Sequence, residues 1–347
     1  MISKNRCKSL FFFRRCVLIC FLGLAIVPCC DKKPSDPNSE RKWVASNAGL
    51  DNLYIEYLAV HPVNPSVLFA GTFDGLYRST NGGRSWTRVD SSWAYAQIAS
   101  VAFDPLQAEV IYVGTKGSGV FKSTDGGSHW EQRNTGLEDQ TIYSLTAHPQ
   151  HSDTLFCGGD GGIYRTFDGT DSTWTKVFWF NRTFVAIDPQ NQQKIYAGGQ
   201  YNNFYKSTEG GENGTWAASA EGLLMGGPES RIQWVLVDPV DYNTIYAASN
   251  SIGVYKSTNA AAQWMETNTG LGTKAVRVLA SDPSDHQHLY AATNRGVAQS
   301  IDGAGSWELM NSGLSNTDVR ALALHPTDEE LLYAGTWGDG VFIWKVP

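Results

Sequence analysis

The sequence predicts an all-β fold, a seven-bladed β-propeller in which an N-terminal strand closes the last blade. Three observations support this prediction. A strand–turn–strand unit with an Asp-Pro or His-Pro turn occurs seven times, and six tryptophans follow successive units at intervals of 42 to 48 residues. The last unit lacks a final strand, which the start of the chain could supply. Four short strands per forty-odd residues is the period of a propeller blade.

The first 29 residues are predicted to be an export signal. Five Lys or Arg residues precede an apolar run at 16–28, which has the length of a signal-peptide core and is too short to span a bilayer. The run ends at Cys29 and Cys30 and resembles a bacterial lipoprotein signal, which implies that one of these cysteines carries a lipid. Simple secretion and an uncleaved anchor are the alternatives. Residues 30–40 are polar and contain two prolines, which predicts a flexible tether before a propeller at 41–347.

The composition narrows the possible functions. The 347 residues include 35 glycines, 12 tryptophans and 15 tyrosines but 4 methionines, a balance typical of turn-rich β structure. The formal net charge is −7, so the chain lacks the basic footprint that nucleic-acid binding requires. Five of the 6 cysteines precede residue 31, so no disulfide framework is expected, and Cys157 is predicted to be a small buried residue.

Each repeat unit contains the strands of one blade. An apolar first strand leads into the proline turn, and a second strand such as 110–115 follows. The third strand begins at a glycine, and a polar, glycine-rich turn then leads to the tryptophan that opens the fourth strand. The almost continuous apolar character of the first strands indicates that neighbouring blades cover both faces of each sheet. The turn prolines are Pro62, Pro105, Pro149, Pro189, Pro239, Pro283 and Pro326.

The two ends of the chain are predicted to share a blade. The seventh unit, 319–347, ends after its third strand. Residues 43–50 read Trp-Val-Ala-Ser-Asn-Ala-Gly-Leu and match the fourth strands at 130–137, 264–271 and 307–314. Pairing of the first strand with the seventh unit would remove the open sheet edges and make 41–347 one cooperative domain.

The turns before the fourth strands share a motif. Residues 79–86 and 123–130 read Ser-Thr-Asn-Gly-Gly-Arg-Ser-Trp and Ser-Thr-Asp-Gly-Gly-Ser-His-Trp, and they resemble the Asp-box, or bacterial neuraminidase repeat, pattern Ser-x-Asp-x-Gly-x-x-Trp. We expect a structural hairpin in which the Asp or Asn side chain accepts backbone N–H bonds and the tryptophan fills the blade edge. The residues predicted to have this role are Asn81, Trp86, Asp125, Trp130, Asp168, Trp174, Trp216, Trp264, Asp302 and Trp307.

Six such motifs in seven units make the chain similar to the Asp-box β-propeller superfamily, which includes sialidases, xyloglucan hydrolases, the sortilin ectodomain and photosystem II assembly factors. The resemblance implies the fold and leaves the activity open, because this fold supports unrelated functions. Sialidases carry an early Arg-Ile-Pro, whereas the nearest string here, Arg231-Ile232-Gln233, lies late in the chain and lacks the proline. Xyloglucan hydrolases use two acids in a cleft between two propellers, whereas this chain is predicted to contain one. The assembly factors are single seven-bladed rings, often lipid-anchored, which matches the predicted architecture.

One end of the ring is the predicted binding face. In an antiparallel blade the first and third turns share one end, so the proline turns and Asp boxes leave the more variable loops at the other. Loops on a rigid scaffold frequently carry function, and aromatic side chains on them suit stacking on sugars or binding a peptide. The aromatic residues expected to be exposed on this face are Trp93, Tyr95, Trp179, Tyr201 and Trp337.

Arginines are predicted at the mouth of the central channel on the same face. The sixth residue before each turn proline should lie where an inner strand enters the channel, and this set contains Arg277 and Arg320, with Arg182 and Arg231 nearby. Converging guanidinium groups would form a site for carboxylate or phosphate groups. The alternative is that Glu56, Asp318 and Glu229 neutralise the four arginines in salt bridges at the rim.

The sequence therefore favours a non-catalytic, extracytoplasmic, lipid-anchored and monomeric propeller whose loop face binds an envelope protein or an anionic or glycan ligand. No cofactor is expected, and no metal, because His61, His148 and His325 occupy the position of Asp in the proline turns. The alternative is a sialidase- or xyloglucanase-like glycoside hydrolase. That chemistry needs at least a pair of carboxylates, and its candidates on the loop face are Asp74, Asp160 and Asp339.

Overall fold

Seven antiparallel sheets of four strands each make up the structure, a computed structural model that describes residues 41–89, 96–152, 154–166, 173–328 and 331–345. Within these ranges all regular secondary structure is β-strand, and no helix is long and apolar enough to cross a bilayer. The predicted all-β, seven-bladed propeller is confirmed. The predicted signal at 1–29 and tether at 30–40, together with Cys29, Cys30, Trp93, Tyr95 and Asp168, lie outside the described residues.

The strands follow the repeat order that the sequence predicts, from an inner strand at the channel to an outer strand at the rim. Blade 1 contains β2 (Ile55–Val60), β3 (Leu68–Thr72), β4 (Gly75–Ser79) and β5 (Thr87–Arg88). Blade 2 contains β6 (Gln97–Phe103), β7 (Ile111–Lys116), β8 (Gly119–Ser123) and β9 (Glu131–Gln132), and blade 3 contains β10 (Ile142–Ala147), β11 (Leu155–Gly159), β12 (Gly162–Arg165) and β13 (Thr175–Phe178). Blade 4 contains β14 (Phe184–Ile187), β15 (Ile195–Gly198), β16 (Phe204–Ser207) and β17 (Trp216–Ala218).

The remaining blades repeat the same order. Blade 5 contains β18 (Ile232–Val237), β19 (Ile245–Ser249), β20 (Gly253–Ser257) and β21 (Met265–Glu266). Blade 6 contains β22 (Val276–Ser281), β23 (Leu289–Thr293), β24 (Gly296–Ser300) and β25 (Glu308–Leu309). Blade 7 contains β26 (Val319–Leu324), β27 (Leu332–Thr336) and β28 (Gly340–Lys345), and β1 (Lys42–Ala45) forms its outer edge.

The N-terminal strand closes the ring, as the sequence predicts. β1 pairs antiparallel with β28, and Trp43 lies opposite Trp344 with ring centroids 5.4 Å apart. The Trp43 side chain is 2% exposed, and its indole N–H donates to the Met310 carbonyl of blade 6 at 2.6 Å. The first strand is therefore bound both within blade 7 and to the blade before it.

The core consists of apolar layers between adjacent blades. The second strand of every blade contributes a buried aromatic ring, at Phe69, Tyr112, Phe156, Tyr196, Tyr246, Tyr290 and Tyr333. Cys157 is also buried in this layer, and burial raises the pKa of its thiol, as expected of an unreactive core residue. Burial of these layers on both faces of each sheet explains why the strands lack the polar–apolar alternation of a half-exposed sheet.

The proline turns use Asp and His as interchangeable hydrogen-bond acceptors. The Asp188 carboxylate accepts N–H bonds from Gln190 and Asn191, both at 3.0 Å. In blade 1 the Nδ1 atom of His61 accepts the equivalent bonds from Val63 and Asn64, at 3.2 and 3.0 Å. The Nδ1 atom of His61, His148 and His325 therefore takes the place of the Asp carboxylate as the acceptor, which supports the prediction that they are turn residues.

The Asp-box side chains hydrogen-bond within their own hairpins. Asp302 accepts the backbone N–H and the hydroxyl of Ser306, which lowers the pKa of its carboxyl to about 2. Asn81 accepts the Ser85 N–H in the same way, so the bond does not need a charge. Ala260, Ala261 and Ala304 adopt positive φ at positions where the intact motif has glycine. In each of these boxes the polar side chain is occupied by the turn itself.

Neighbouring blades are also joined by hydrogen bonds from a tryptophan of one blade to a loop of the blade before it. After the outer strand of blade 7, Gly49 passes over Trp86 of blade 1. The Trp86 backbone N–H donates to the Ala48 carbonyl, and its indole N–H donates to the Ser46 carbonyl, both at 2.8 Å. We call this segment, residues 46–50, and its counterparts in other blades the clasp. Counterparts centred on Gly136, Gly222, Gly270 and Gly313 bind Trp174, Trp264, Trp307 and Trp43 of the next blade in the same way.

At two blade interfaces the tryptophan indole has a different partner. The chain after β5 and after β13 does not contain the Gly-Leu pair that ends every clasp. The tryptophans of the next blades, Trp130 and Trp216, direct their indole N–H groups to Gly127 and Gly211 of their own turns. At the interfaces of blade 1 with blade 2 and of blade 3 with blade 4, a bond within the turn therefore replaces the indole bond of the clasp.

We expect that Gly49→Ala destabilises the ring. A Cβ at Gly49 would lie 2.1 Å from the Trp86 carbonyl oxygen, so the clasp would have to move. The free energy of unfolding, measured by urea denaturation, should fall by about 2–4 kcal/mol. Gly214→Ala is the matched control, because Gly214 has nearly the same φ (+84° against +87°) with no atom within 4 Å of a new Cβ, and it should cost only about 1 kcal/mol. Equal losses in the two variants would contradict the clasp.

His148 is expected to make stability depend on pH. Burial, His151 and Arg165 lower the pKa of this histidine from 6.5 to about 4, so the folded state favours the neutral ring that accepts the Gln150 N–H. The stabilisation is complete above about pH 6.5 and is lost as the pH falls towards 4. Solvent screens part of this effect, and we expect a loss of about 1–2 kcal/mol at this position between pH 7 and 4.5.

The matched variant is His148→Asp, which installs the acceptor that four other proline turns use. Urea unfolding of both proteins at pH 7 and 4.5 compares the two side chains directly, because the proteins differ in titrating groups only at position 148. The variant should lose less stability on acidification than the natural chain. An equal loss in both proteins would show that protonation of His148 does not weaken the fold.

Candidate functional site

A cavity of about 300 Å³ lies where the inner strands enter the central channel. The proline turns and Asp boxes are hydrogen-bonded to each other at the opposite end, for example from Gly82 to Ser66, so this cavity opens on the predicted loop face. We call it the mouth cavity. It is lined by Glu56, Tyr57, Phe73, Gln97, Ala99, Lys116, Tyr143, Phe184, Arg231, Gln233, Trp234, Arg277, Val278, Arg320 and Trp337. Four of these side chains are cations and one is a carboxylate, in a chain whose net charge is −7.

Arg320 is the most constrained of the cations. Its guanidinium pairs with Glu56 at 3.3 Å and with Asp318 at 3.2 Å, and it lies 3.6 Å from the centroid of the Trp337 ring. Glu56 also accepts Lys116 at 3.4 Å. Arg320 therefore forms the salt bridges with Glu56 and Asp318 that the sequence analysis named as the alternative to an open anion site.

Arg231 and Arg277 are held differently. Desolvation by burial and the nearby Arg320 charge lower the pKa of Arg277, and burial with the Arg182 charge lowers the pKa of Arg231, although guanidinium groups remain protonated. The Nε atom of Arg277 is buried and has no hydrogen-bond partner among the described residues. Two partly desolvated cations in one cavity leave positive charge that an anion would neutralise.

Gln233 adds an unpartnered donor to the same cavity. Its side chain is 7% exposed, and its Nε2 atom has no hydrogen-bond partner within the described chain. An amide donor buried in this way costs free energy unless a ligand or water accepts its hydrogen bond. The sequence count places Gln233 at the sixth position before Pro239 but gives no sign that its amide lacks a partner.

Arg182 lies near enough to Arg231 to affect its pKa, but its contacts differ from those of the other three predicted arginines. It contacts Asp160 and Glu229, each at 3.7 Å, and it is not among the residues that line the mouth cavity. Its backbone has a φ of +52°, outside the extended range of a strand. The adjacent Thr183 is fully buried and donates its hydroxyl to the Phe180 carbonyl, so blade 4 contributes Phe184 to the cavity instead of its sixth-position residue.

The predicted aromatic residues separate into two groups. Trp337 lines the mouth cavity, whereas Trp179 and Tyr201 do not, although they are 73% and 42% exposed. Tyr54 and Phe73, which the sequence analysis did not single out, pack edge-on against Trp337 with centroids 5.0 and 6.0 Å away. Tyr54 precedes the first inner strand and Phe73 follows β3, and these loop positions could have indicated in the sequence that both rings lie on this face.

The three candidate acids of a hydrolase lie on separate turns of the loop face, in blades 1, 3 and 7. The Thr72 hydroxyl donates to Asp74 at 3.0 Å, the Tyr143 hydroxyl to Asp160 at 3.2 Å and the Ser315 hydroxyl to Asp339 at 2.6 Å. None of the three lines the mouth cavity, where the carboxylate is Glu56.

A second cavity of about 320 Å³, the lower cavity, continues along the channel towards the proline turns. It lies against the inner strands of blades 3, 4 and 5 and reaches Ser100 of blade 2. It shares the side chains of Tyr57, Tyr143, Phe184 and Trp234 with the mouth cavity. In the described part of the chain, no group of three or more His, Cys, Asp or Glu side chains is placed to hold a metal ion.

Comparison with known proteins gives matches of the same architecture. The family model described as "Sortilin, neurotensin receptor 3" matches residues 74–178. A xyloglucanase of Hypocrea jecorina (strain QM6a) is 30% identical over 146 residues, which is 36% of this chain and 17% of that protein. The chain thus spans only a small part of the length of this curated relative.

Solved structures extend the comparison to nearly the whole ring. The GH74 xyloglucanase from Xanthomonas campestris has a TM-score of 0.68 at 20% identity, over 87% of this chain and 53% of the enzyme. YCF48 bound to D1 peptide has a TM-score of 0.65 at 15% identity, over 89% of this chain and 97% of that one. The extracellular domain of a hybrid two-component system from B. thetaiotaomicron has a TM-score of 0.68 at 15% identity, over 88% and 42% of the two chains. All these matches fit a β-propeller of the sortilin and bacterial neuraminidase repeat type.

Proposed function

We propose that this chain is a non-catalytic binding module, anchored outside the cytoplasm by a lipid, that binds a carboxylate-bearing group of a glycan or a partner protein. The observation that supports it is the mouth cavity, where four cations and one carboxylate face the same space. Arg231, Arg277 and Gln233 supply donors to this space, and a carboxylate is an acceptor that guanidinium groups bind through two parallel hydrogen bonds.

The charge of the rest of the molecule makes this cavity selective. A chain with a net charge of −7 repels anions at a distance, so an anion gains attraction only where cations are concentrated and partly desolvated. Trp337, Tyr54 and Phe73 add an aromatic wall beside Arg320, on which a sugar ring or an apolar side chain can pack.

The proposed location depends on two independent features. The basic residues, the apolar run and Cys29-Cys30 form the pattern of a lipoprotein signal, which would tether the propeller to a membrane through about ten polar residues. The extracellular domain among the structural neighbours has the same fold. An envelope protein or a glycan is the partner that such a location makes accessible.

Arg277→Gln should weaken anion binding. Probes are a hexaglutamate peptide and an oligogalacturonate, which present carboxylates on a peptide and on a glycan, and the readout is calorimetry at low salt. Loss of one buried charged donor should reduce the affinity about tenfold or more for whichever probe binds. Arg295→Gln is the matched control, since Arg295 is an exposed arginine on a loop of the same face outside the cavity, and it should change the affinity less than about twofold. Equal effects of the two substitutions would place the anion elsewhere.

A glycoside hydrolase is the second candidate, because the sequence is 30% identical over 146 residues to a xyloglucanase. Its acids would be Asp74, Asp160 and Asp339, each of which accepts a hydroxyl hydrogen bond in its own part of the face. A binding module predicts that xyloglucan incubated with the protein gains no reducing ends. Release of reducing ends that Asp160→Asn or Asp339→Asn abolishes would overturn the non-catalytic proposal.

A further inference from the structure

Four aromatic side chains form a belt between the two cavities of the channel. Tyr57, Tyr143, Phe184 and Trp234 line both the mouth cavity and the lower cavity. They form two packed pairs, Tyr57 with Trp234 and Tyr143 with Phe184, and the ring centroids of each pair are 6.4 Å apart. A ligand that contacts the inner side of the mouth cavity therefore contacts rings that also face the lower cavity.

The lower cavity offers apolar walls, because its hydroxyl groups are already used. Ser100 accepts the Leu145 N–H at 3.0 Å, and the Ser144 hydroxyl donates to the Thr183 carbonyl at 3.0 Å. Thr146 donates to the Val185 carbonyl at 2.6 Å. Most of the surface that remains for a ligand is the carbon of aliphatic and aromatic side chains, which binds hydrocarbon by the hydrophobic effect.

We propose that the channel binds an amphiphilic carboxylate with an unbranched apolar chain. The carboxylate lies at Arg231, Arg277 and the unpartnered Gln233 amide, and the chain passes the aromatic belt into the lower cavity. This proposal rests on the proposed function and adds the chemical class of the ligand. A slender chain suits it better than a bulky ring system, since the belt rings already contact one another in pairs.

The channel is charged at the mouth cavity and mostly apolar at the lower cavity, which favours an amphiphilic carboxylate over a purely polar anion. A small polar anion would use the donors of the mouth cavity and leave the lower cavity without a ligand. A neutral hydrocarbon would fill the lower cavity and leave the Arg277 and Gln233 donors unpartnered. Only a molecule with both parts satisfies the two halves of the channel together.

The test is a chain-length series of acetate, hexanoate and decanoate, with decan-1-ol as the uncharged analogue, measured by calorimetry on the full chain. Affinity should rise about threefold to fourfold for each methylene that enters the lower cavity. Decanol should bind at least about tenfold more weakly than decanoate, because the guanidinium groups gain nothing from it. Arg277→Gln should weaken every carboxylate, whereas Arg295→Gln, on an exposed loop, serves as the unchanged control.

Ala186→Leu tests the apolar half. The added carbons would occupy part of the lower cavity, so the ratio of decanoate to acetate affinity should fall at least about tenfold. Leu236→Phe, at another wall of the same cavity, is the second variant, and thermal unfolding of both checks that the ring is intact.

The outcomes separate this proposal from the proposed function. Carboxylate binding that depends on Arg277 but does not grow with chain length would overturn the amphiphile and leave the anion site standing. Affinity that grows with chain length equally for decanol and decanoate would also overturn it, because the head group would then lie outside the mouth. Absence of binding by every carboxylate, including hexaglutamate and oligogalacturonate, would remove both proposals.

Discussion

Eight residues at the N-terminal end of the propeller, 43–50, hold three blades together. Trp43 pairs with Trp344 at the outer edge of blade 7 and donates its backbone and indole N–H groups to carbonyls of the blade 6 clasp. Further along the same segment, the Asn47 side chain accepts the Val341 N–H and donates to the Asp339 carbonyl, both in blade 7. Gly49 then passes over Trp86 of blade 1. The N-terminal segment therefore does more than add a strand to blade 7. It also forms, on both sides of that blade, the same loop-to-tryptophan contacts that join other neighbouring blades. The channel, with both cavities, exists only because this joint closes the circle.

Much of this architecture could be predicted from the sequence, because the repeat determines the strands of each blade. The period, the proline turns and the matching ends predict seven blades and the position of β1, since each depends on local geometry repeated along the chain. The equivalence of His61 and Asp188 was also visible, because both occupy one position of one turn. The clasp is visible in the sequence as a Gly-Leu pair after five of the seven outer strands, although its partner is the tryptophan of the next blade, which for four of the five is about forty residues further along the chain.

The site was less predictable, because the side chains at the mouth come from inner strands far apart in the chain. Counting from the prolines selects Glu56, Tyr143, Gln233, Arg277 and Arg320, and these residues line one cavity. It failed at Thr183, where blade 4 enters the channel after a residue with positive φ and the hydroxyl turns to the backbone. Which arginine is paired with Glu56 and which amide lacks a partner depends on distances across the channel, and no local pattern encodes those.

The clasps divide the ring unequally. They link blade 2 to blade 3, and they link blades 4, 5, 6, 7 and 1 in an unbroken series, so the two joints where the indole bonds its own turn bound an arc of two blades and an arc of five. Arg231, Arg277, Arg320 and Glu56 all belong to the longer arc. Tyr143 and Lys116 belong to the shorter arc. The three guanidinium groups and their carboxylate thus stand on four consecutive blades, each joined to the next by the same loop-to-tryptophan contact, so the spacing of the charges is set by one repeated joint.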